Sequence, residues 1–311
     1  MLKKKLQQKN IHDSMIENIF RLGWSSAKYL PDKTSTRAFT VLADSLWKKQ
    51  GKDVKQLEKN IARIHPELSF EELREASRLG LRSYMRYWKE AFQLPHWPKG
   101  YAKDALNVEN PENIDQALAQ GKGVILLSTH SGNWDLAGAW LAERYGKVTT
   151  VAERLKPEGL YQQFVKHREA FGAEIFPTGT PNILDILSEK LNNGEVLALM
   201  GDRDISRKGV HVPLFNETAS LPIGPSLLAV TTGAPLLPID LWYEENGPAK
   251  AKAGSVINIP KNESEEKQVL LTIKQTAKVF EKALRAHTTD WHMMQPVWLA
   301  DLDAKRITKS H

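Results

Sequence analysis

The sequence predicts an α/β fold in which a mostly parallel central sheet, flanked by helices, follows an N-terminal helical region. In residues 10–95, apolar side chains recur every three or four positions, which is typical of amphipathic helices. From residue 112, short aliphatic runs alternate with longer helical patterns, as in parallel sheets covered on both faces. We expect residues 1–100 to form a helical region and residues 101–311 an α/β domain, packed together as one compact unit.

Each expected element has a local signal. Ser69 and Glu72 have the spacing of a capping box, so a helix should begin there and run to about Phe92. Run 123–129 is aliphatic and bounded by glycine, as expected for a strand buried on both faces. In chain order, the expected elements are helix Asn113–Gln120, strand 123–129, helix Trp134–Arg144, strand Val148–Val151, helix Glu158–Phe171, strand Glu174–Phe176, helix Pro181–Asn193, strand Val196–Met200, a helix near Pro225–Thr232, strands Leu236–Tyr243 and Lys250–Ile259, and helix Ser264–Thr288.

The composition is that of an ordinary globular protein, with 41% hydrophobic and 26% charged residues in a chain of 311. Cysteine is absent, which excludes disulfides, thiolate metal sites and a cysteine nucleophile. No run approaches the roughly 18 apolar residues of a membrane span. Residues 1–8 lack the apolar core of a signal peptide. We therefore expect the chain to stay on the cytoplasmic side.

The positive charge is concentrated at the front of the chain. Residues 1–60 hold 13 Lys and Arg against 6 Asp and Glu, whereas the whole chain has a formal net charge of only +6. Positive charge spread over the whole chain would suggest binding to nucleic acid. Positive charge confined to residues 1–60, here called the basic front, predicts that this end of the protein binds an anionic surface. We expect an anionic membrane surface as partner, and no nucleic acid.

An amphipathic stripe runs through this basic front. Its apolar members are Ile11, Met15, Ile16, Ile19, Phe20 and Trp24, and the flanking cations include Lys3, Lys4, Lys5, Lys9, Arg21 and Lys28. A basic helix with aromatic residues on its apolar face can lie in a bilayer interface. The alternative is that the stripe packs on the main domain, and both hold if the helix is only partly covered.

Residues 130–135, H-S-G-N-W-D, directly follow the buried strand expected at 123–129. This order places the imidazole of His130 at the carboxyl end of a strand, where open α/β sheets have their ligand crevices. Asp135 comes one turn into the next helix, and a histidine beside a carboxylate supplies the parts of a general base. The alternative is structural, with His130 capping the helix and Asp135 favourable at its positive end.

A second charged segment follows strand Val196–Met200. It carries Asp202, Arg203, Asp204, Arg207 and Lys208. An acid at this strand end can hold the imidazole of His130 and stabilise its protonated form, and a cation there can grip phosphate. The alternative is a loop of solvated ion pairs.

Charged residues also follow strand Val148–Val151. Glu153 and Arg154 lie at its carboxyl end, and Arg168 on the next helix can reach the same crevice. The alternative is that Arg154, Lys166 and Arg168 are surface charges.

Several common catalytic patterns are missing from the sequence. G-x-S-x-G, a P-loop and G-x-G-x-x-G are absent, which disfavours esterase, NTPase and dinucleotide-binding functions. His167, His211 and His292 lack the spacing of metal ligands, which disfavours metal catalysis.

The H-x4-D spacing of His130 and Asp135 resembles the signature of the lipid A late acyltransferase superfamily. Three further segments resemble its actinobacterial branch, the phosphatidylinositol mannoside acyltransferases: residues 149–158 (T-T-V-A-E-R-L-K-P-E), 84–92 (Y-M-R-Y-W-K-E-A-F) and 290–296 (D-W-H-M-M-Q-P). Many acyltransferases share the H-x4-D spacing, whereas the segments at 149–158 and 290–296 are much more specific. The resemblance extends from the first helix to about Leu302.

This resemblance implies a glycerolipid-acyltransferase-like α/β sandwich attached peripherally to the cytoplasmic face of the membrane. It implies transfer of a long acyl group, typically palmitoyl, from acyl-CoA to a membrane glycolipid. The acceptor would be the 6-hydroxyl of the mannose on inositol position 2 of phosphatidylinositol mono- or dimannoside. Acyl-CoA would be a co-substrate, and no metal or further cofactor is implied.

The resemblance also assigns roles to individual residues. His130 is the base, Asp202 is its acidic partner, and Glu153 and Arg168 line the same site. We expect Asp135 to support the imidazolium from its helix. The loop that meets the acyl donor contains Arg203, Asp204, Arg207 and Lys208, and Thr231 lies in a helix near it.

Two features depart from the family. The family has glutamate where this chain has Asp202, so the side chain is one methylene shorter here. The composition is Lys-rich rather than Ala- and Arg-rich, which allows a different glycolipid acceptor. Three other functions are therefore considered: an acyltransferase that uses acyl-CoA or acyl carrier protein on another glycolipid or phospholipid, a metal-dependent phosphoesterase, and a non-catalytic peripheral lipid-binding protein.

Overall fold

The computed structural model describes residues 17, 18, 20–26, 29, 31–244 and 247–302. Its helices are α1 (Asp32–Lys48), α2 (Lys52–Ile64), α3 (Phe70–Gln93), α4 (Tyr101–Ala105), α5 (Glu112–Leu118), α6 (Trp134–Tyr145), α7 (Glu158–Ala170), α8 (Ile183–Asn192), α9 (Gly224–Thr232) and α10 (Glu265–Ala286). Its strands are β1 (Leu106–Glu109), β2 (Val124–Ser128), β3 (Val148–Ala152), β4 (Ala173–Pro177), β5 (Val196–Met200), β6 (Val210–Leu214), β7 (Glu217–Leu221), β8 (Leu236–Tyr243) and β9 (Ala249–Ala253).

Seven strands form the central sheet in the order β1-β9-β8-β2-β5-β3-β4, and all neighbouring pairs are parallel except β8 with β9. Strands β2 and β5 pair in register, with Val124 opposite Val196 and Ser128 opposite Met200. The mostly parallel sheet expected from the sequence is confirmed. Because β2 and β5 end side by side, the segments that follow them emerge next to each other.

The sheet has a hydrophobic core on each face. Every residue of β2 is buried, with Ile125 and Leu127 in one core and Val124 and Leu126 in the other. Helices α8, α9 and α10 cover the first face, and α5 and α6 cover the second. This burial explains why β2 is uniformly apolar rather than alternating.

The N-terminal helices pack against one another and on the sheet domain. The capping box at the start of α3 is present, since Ser69 N donates to Glu72 Oε2 (2.8 Å) and Glu72 N donates to Ser69 Oγ (3.2 Å). Helix α3 packs along both α1 and α2, in a cluster that includes Ala43 and Leu81. The domain boundary near residue 100 stays a prediction.

The described part of the N-terminal stripe packs inside the protein. Trp24 is 5% exposed, its ring lies 5.1 Å from that of Phe164 on α7, and its Nε1 donates to Ala91 O (3.2 Å). Phe20 lies 5.1 Å from Trp88 between ring centroids. Trp24 therefore packs inside the protein and insertion of its ring into a bilayer is wrong, whereas Phe20 is half-buried and its contact with a bilayer stays a prediction. The remaining apolar members and Lys3, Lys4, Lys5, Lys9 and Lys28 lie outside the described residues.

Most expected boundaries are met within two residues, and the exceptions have physical causes. The strand expected at Lys250–Ile259 ends at Ala253, because Gly254 leaves the regular pairing although its N–H still reaches Pro238 O (2.9 Å). The hairpin of β6 and β7 was not expected, and its turn places Phe215 and Asn216 at positive φ (51° and 64°). A phenylalanine at such a position, and Pro213 within the strand, hide the usual hairpin signal.

In the described part of the chain, no helix is both long enough and apolar enough to cross a membrane.

Candidate active site

His130 and Asp202 meet at the carboxyl edge of the sheet, directly after β2 and β5. Asp202 Oδ1 lies 2.7 Å from His130 Nδ1, and Asp202 Oδ2 accepts the His130 backbone N–H (2.7 Å). This pairing follows from the parallel register of the two strands. The carboxylate is therefore bound to both the ring and the backbone of the same histidine.

The environment keeps Asp202 ionised. Its side chain is 1% exposed, and it accepts a further hydrogen bond from Trp291 Nε1 (2.8 Å). Burial alone would raise the pKa of Asp202, but the charge of His130 and these hydrogen bonds outweigh burial, so its pKa lies below the ordinary value. An ionised Asp202 accepts a hydrogen bond from the N–H group at His130 Nδ1, so the proton stays on Nδ1 and the Nε2 lone pair is available.

The ring of His130 faces solvent at its other nitrogen. Its side chain is 26% exposed, and Nε2 has no hydrogen-bond partner among the described residues. A partly exposed imidazole with a fixed tautomer can take a proton from a hydroxyl group. This geometry is that of a general base.

The loop that carries His130 is held from both sides. Gly132 has φ of +54°, and a Cβ there would lie 2.9 Å from the backbone of Leu241, so only glycine fits. Asn133 caps α6 by accepting the N–H of Leu136 (2.9 Å). The carbonyl of His130 accepts the backbone N–H of His292 (2.8 Å).

Asp135 does not support His130 directly. It accepts hydrogen bonds from Arg168 Nε (2.6 Å) and Tyr87 Oη (2.8 Å), and in the part of the chain that the structure describes it has no hydrogen bond to His130. Burial disfavours charge on Arg168, but the Asp135 carboxylate outweighs it and holds the pKa of Arg168 above its ordinary value. The expected contact is thus corrected: this buried ion pair ties α6 to α7 and α3.

We expect Asp135→Asn to destabilise the fold by roughly 3 kcal/mol, because it leaves the charge of Arg168 buried and unpaired. Urea unfolding followed by circular dichroism measures the change. The matched control is Glu158→Gln, which removes the exposed ion pair with Arg154 and should leave the unfolding midpoint unchanged. Equal effects of the two substitutions would contradict a structural role for the buried pair.

Glu153 and Arg203 lie together at the same edge of the sheet. Arg203 Nη1 donates to Glu153 Oε2 (3.2 Å), and both line a small cavity of about 120 Å³. The other residues lining it include Asp204, Ile205, Arg207, His211 and Ser220. The sequence predicts that Glu153, Arg203, Asp204 and Arg207 lie near the carboxyl ends of the strands. In the structure all four line this cavity.

Asp204 binds groups of the protein itself and fixes the conformation of the loop that follows it. It accepts hydrogen bonds from the backbone N–H groups of Arg207 (2.9 Å) and Gly209 (2.8 Å) and from Ser220 Oγ (3.0 Å). Arg207 is at positive φ (60°), and both Arg207 and Lys208 are exposed. Asp204 thereby fixes the backbone of the loop that carries Arg207 and Lys208.

Thr231 does not belong to this site. It lies near the end of α9, where Thr231 Oγ1 donates to Leu227 O (2.9 Å) of its own helix. A Cβ on the adjacent Gly233 would lie 2.9 Å from Lys122 Nζ, and Lys122 precedes β2. Since His130 follows β2, Thr231 is at the opposite edge of the sheet, and the expectation that it lies near the acyl donor is wrong.

Two residues near His130 were missed as site residues. Trp291 is fully buried against Asp202, and His292 lies beside the rings of Tyr84 (5.4 Å) and Trp134 (5.8 Å). Burial, and then the charge of His130, lower the pKa of His292 to about 3, so it is neutral. Both belong to the segment 290–296 that resembled the family, which was the available signal.

No group of three or more His, Cys, Asp or Glu within the described residues is arranged to hold a metal ion.

Comparison with known proteins identifies the family of the chain. The model of a family described as "Bacterial lipid A biosynthesis acyltransferase" matches residues 3–300. A relative from Mycobacterium tuberculosis (strain ATCC 25618 / H37Rv), named phosphatidylinositol mannoside acyltransferase, is 40% identical over 295 residues, covering 92% of this chain and 90% of the relative. A protein of the same name from Mycolicibacterium smegmatis is 36% identical over 289 residues, covering 92% of each. The chain therefore belongs to the bacterial lipid A biosynthesis acyltransferase family.

Proposed function

We propose that this chain transfers a long acyl group, typically palmitoyl, from acyl-CoA to the 6-hydroxyl of the mannose on inositol position 2 of phosphatidylinositol mono- or dimannoside. One observation carries the proposal: His130 Nδ1 is bound to Asp202 (2.7 Å), while Nε2 is available at the open edge of the sheet. The names of the relatives support the choice of acceptor.

In the proposed reaction, His130 acts as the general base. His130 Nε2 takes the proton of the mannose hydroxyl while the hydroxyl oxygen attacks the carbonyl carbon of the thioester. A carbon–oxygen bond forms, the carbon–sulfur bond breaks, and the thiolate of coenzyme A leaves with the proton from the imidazolium. Asp202 stabilises the imidazolium throughout and is not itself protonated.

The tetrahedral intermediate needs a stabilising positive field. Helix α6 begins at Trp134, four residues after His130, so its positive amino end lies at the same edge of the sheet. Preorganised N–H groups of this kind stabilise developing negative charge. We assign the oxyanion to this end of α6.

We assign the binding of the acyl donor, acyl-CoA, to the loop of residues 203–208, whose backbone Asp204 holds. Arg203, Arg207 and Lys208 lie in the loop that directly follows Asp202, the partner of His130, and cations in such a position suit the phosphates of coenzyme A. The aspartate at position 202 is compatible with the proposed role of His130 as base. Its Oδ1 lies 2.7 Å from His130 Nδ1, although the side chain is one methylene shorter than the glutamate expected from the family.

The test is to incubate the protein with radiolabelled palmitoyl-CoA and vesicles that contain phosphatidylinositol dimannoside. Chromatography and mass spectrometry identify the product and the acylated hydroxyl, with His130→Ala as the control. Parallel arms use palmitoyl-acyl carrier protein and phosphatidylinositol without mannose. Transfer from acyl-CoA to the mannoside by the unmodified protein alone supports the proposal.

The other outcomes contradict it in distinct ways. Transfer only to another lipid overturns the acceptor, and transfer only from acyl carrier protein overturns the donor. Vesicle binding without transfer would identify a lipid-binding protein.

Attachment to a membrane is assigned to α1 and the basic front. Helix α1 packs on α3 through Ala43, while Val41, Leu42 and Leu46 are exposed on its outward side (62%, 47% and 37%). The nearby exposed cations on or next to this helix are Lys33, Arg37, Lys48 and Lys49. Exposed apolar residues beside cations suit an anionic bilayer interface.

We expect replacement of Val41, Leu42 and Leu46 by Gln to remove the salt-resistant part of vesicle binding, because these residues supply the inserted apolar area. Val256→Gln, at an exposed apolar residue (45%) near the opposite edge of the sheet, is the matched control. Cosedimentation with phosphatidylserine vesicles at low and high salt measures both.

Replacing Lys3, Lys4, Lys5 and Lys9 by Gln should remove the salt-sensitive part, since each cation near an anionic surface contributes on the order of 1 kcal/mol. Hydrolysis of soluble palmitoyl-CoA should stay unchanged. Equal binding of all variants to neutral and anionic vesicles would show that neither α1 nor the basic front is the membrane-binding surface.

A further inference from the structure

The carboxylate of Asp202 has three hydrogen-bond donors, and two of them belong to His130. Oδ1 binds His130 Nδ1 (2.7 Å), and Oδ2 accepts the His130 backbone N–H (2.7 Å). The third donor is Trp291 Nε1, 2.8 Å from Oδ2. The indole is therefore the one donor in this set that is independent of the histidine that Asp202 orients.

An indole is suited to hold a carboxylate in one orientation. It donates a single hydrogen bond and cannot accept one, so it cannot exchange roles with Asp202. Trp291 is fully buried, as is Asp202, so water does not substitute for the N–H group in this geometry. Hydrogen bonds to a buried ionised group are among the stronger ones in proteins.

The indole itself is fixed in place. The backbone of Trp291 forms an antiparallel bridge with Ser131, next to His130. Its ring packs edge-on against Trp298, with centroids 6.0 Å apart and planes at 87°. The donor, the carboxylate and the histidine loop are thus bound to one another in a closed arrangement.

We infer that Trp291 is a positioning residue, whose N–H group holds the Asp202 carboxylate in the orientation that fixes the tautomer of His130. This inference rests on the proposed role of His130 as the general base. Without the indole N–H, Oδ2 keeps a single donor, and the carboxylate both turns more freely and retains more negative charge toward the imidazole.

The sequence offers a matched control in Trp298. It is also fully buried, and its Nε1 also donates one hydrogen bond, but to the backbone oxygen of Leu214 (2.9 Å). Trp291→Phe and Trp298→Phe each remove one indole N–H and similar volume. They differ in whether the lost bond ends on Asp202.

For Trp291→Phe we expect kcat to fall about tenfold, with KM changed less than about twofold, because the bond acts on the reacting pair rather than on substrate binding. The acid limb of the pH profile should move to higher pH by about half a unit, since a less satisfied carboxylate holds the imidazolium proton more tightly. Trp298→Phe keeps an aromatic ring to pack against Trp291 and removes no donor to Asp202, so it should leave the acid limb in place.

Neighbouring titratable groups do not account for such a shift. His292 faces His130 from the segment after α10, and with a pKa of about 3 it stays neutral across the assay range. Asp290 in the same segment is held by Ser83 and the N–H of Tyr243, and Arg203 is paired with Glu153. All of these groups are also present in the Trp298→Phe control.

If Trp291→Phe does not fold, benzothienylalanine at position 291 replaces the N–H by sulfur while keeping the ring shape, and the same profile is measured. An unmoved acid limb, or a Trp298→Phe profile equal to that of Trp291→Phe, overturns the inference. Activity retained in His130→Ala would instead overturn the proposed base. The two failures are therefore distinguishable.

Discussion

Replacing His130 with alanine is expected to lower turnover by roughly 10²-fold or more, since general-base catalysis typically contributes 10²–10⁴-fold. The loss should appear mainly in kcat, because the imidazole acts on the proton of the acceptor hydroxyl. Initial rates of palmitoyl transfer to phosphatidylinositol dimannoside measure it. The fold should persist, as the ring is partly exposed at the end of a strand rather than in the core.

His167→Ala is the matched control for removal of an imidazole. His167 is partly buried on α7 and contacts the ring of Trp24 (4.8 Å between centroids) rather than Asp202. It should keep nearly full activity. A His130→Ala protein that keeps more than about half of the activity would refute the mechanism.

Asp202→Ala should reduce activity nearly as far as His130→Ala. Without the carboxylate, nothing fixes the proton on Nδ1, and the imidazolium loses its counter-charge. Since the two residues act as one unit, the double alanine variant should be little worse than either single one. Losses that multiply would show that the two side chains act independently.

Asp202→Glu introduces the residue that the family resemblance leads us to expect at this position, and it should reduce activity far less than Asp202→Ala. The site is fully buried and already has three hydrogen bonds at 2.7–2.8 Å, so an added methylene must displace its neighbours. We expect a loss of less than about tenfold, consistent with the modest cost of overpacking. The melting temperatures of Asp202→Glu, Asp202→Ala and His130→Ala distinguish strain in the fold from a loss of catalysis.

The sheet and the central pair could be predicted because their signals are local. An aliphatic run bounded by glycine marks β2, and a parallel sheet brings the ends of its strands to one edge. Those two facts bring His130 and Asp202 to the same edge of the sheet, and the family resemblance then pairs them; that β2 and β5 are neighbours is seen only in the structure. The resemblance at residues 149–158 and 290–296 then pointed to the family that the comparisons show.

The errors concern side chains whose partners are distant in sequence. Spacing places Asp135 one turn after His130, but it does not reveal that Arg168 and Tyr87 bind its carboxylate from two other helices. The stripe with Trp24 has the same pattern whether it meets lipid or α7. Thr231 was assigned from the family alone, without the direction of α9 relative to the strands.

The segment that ends in His292 completes a site begun far earlier in the chain. Residues 290–292 bind the His130 loop through Gly132 N to Asp290 O (3.0 Å) and His292 N to His130 O (2.8 Å). Contacts between such distant segments require closure of a long loop, which costs conformational entropy. A chain without residues 290–292 therefore lacks the contacts that hold the His130 loop, and we expect the proposed base to be in place only after this last segment has packed.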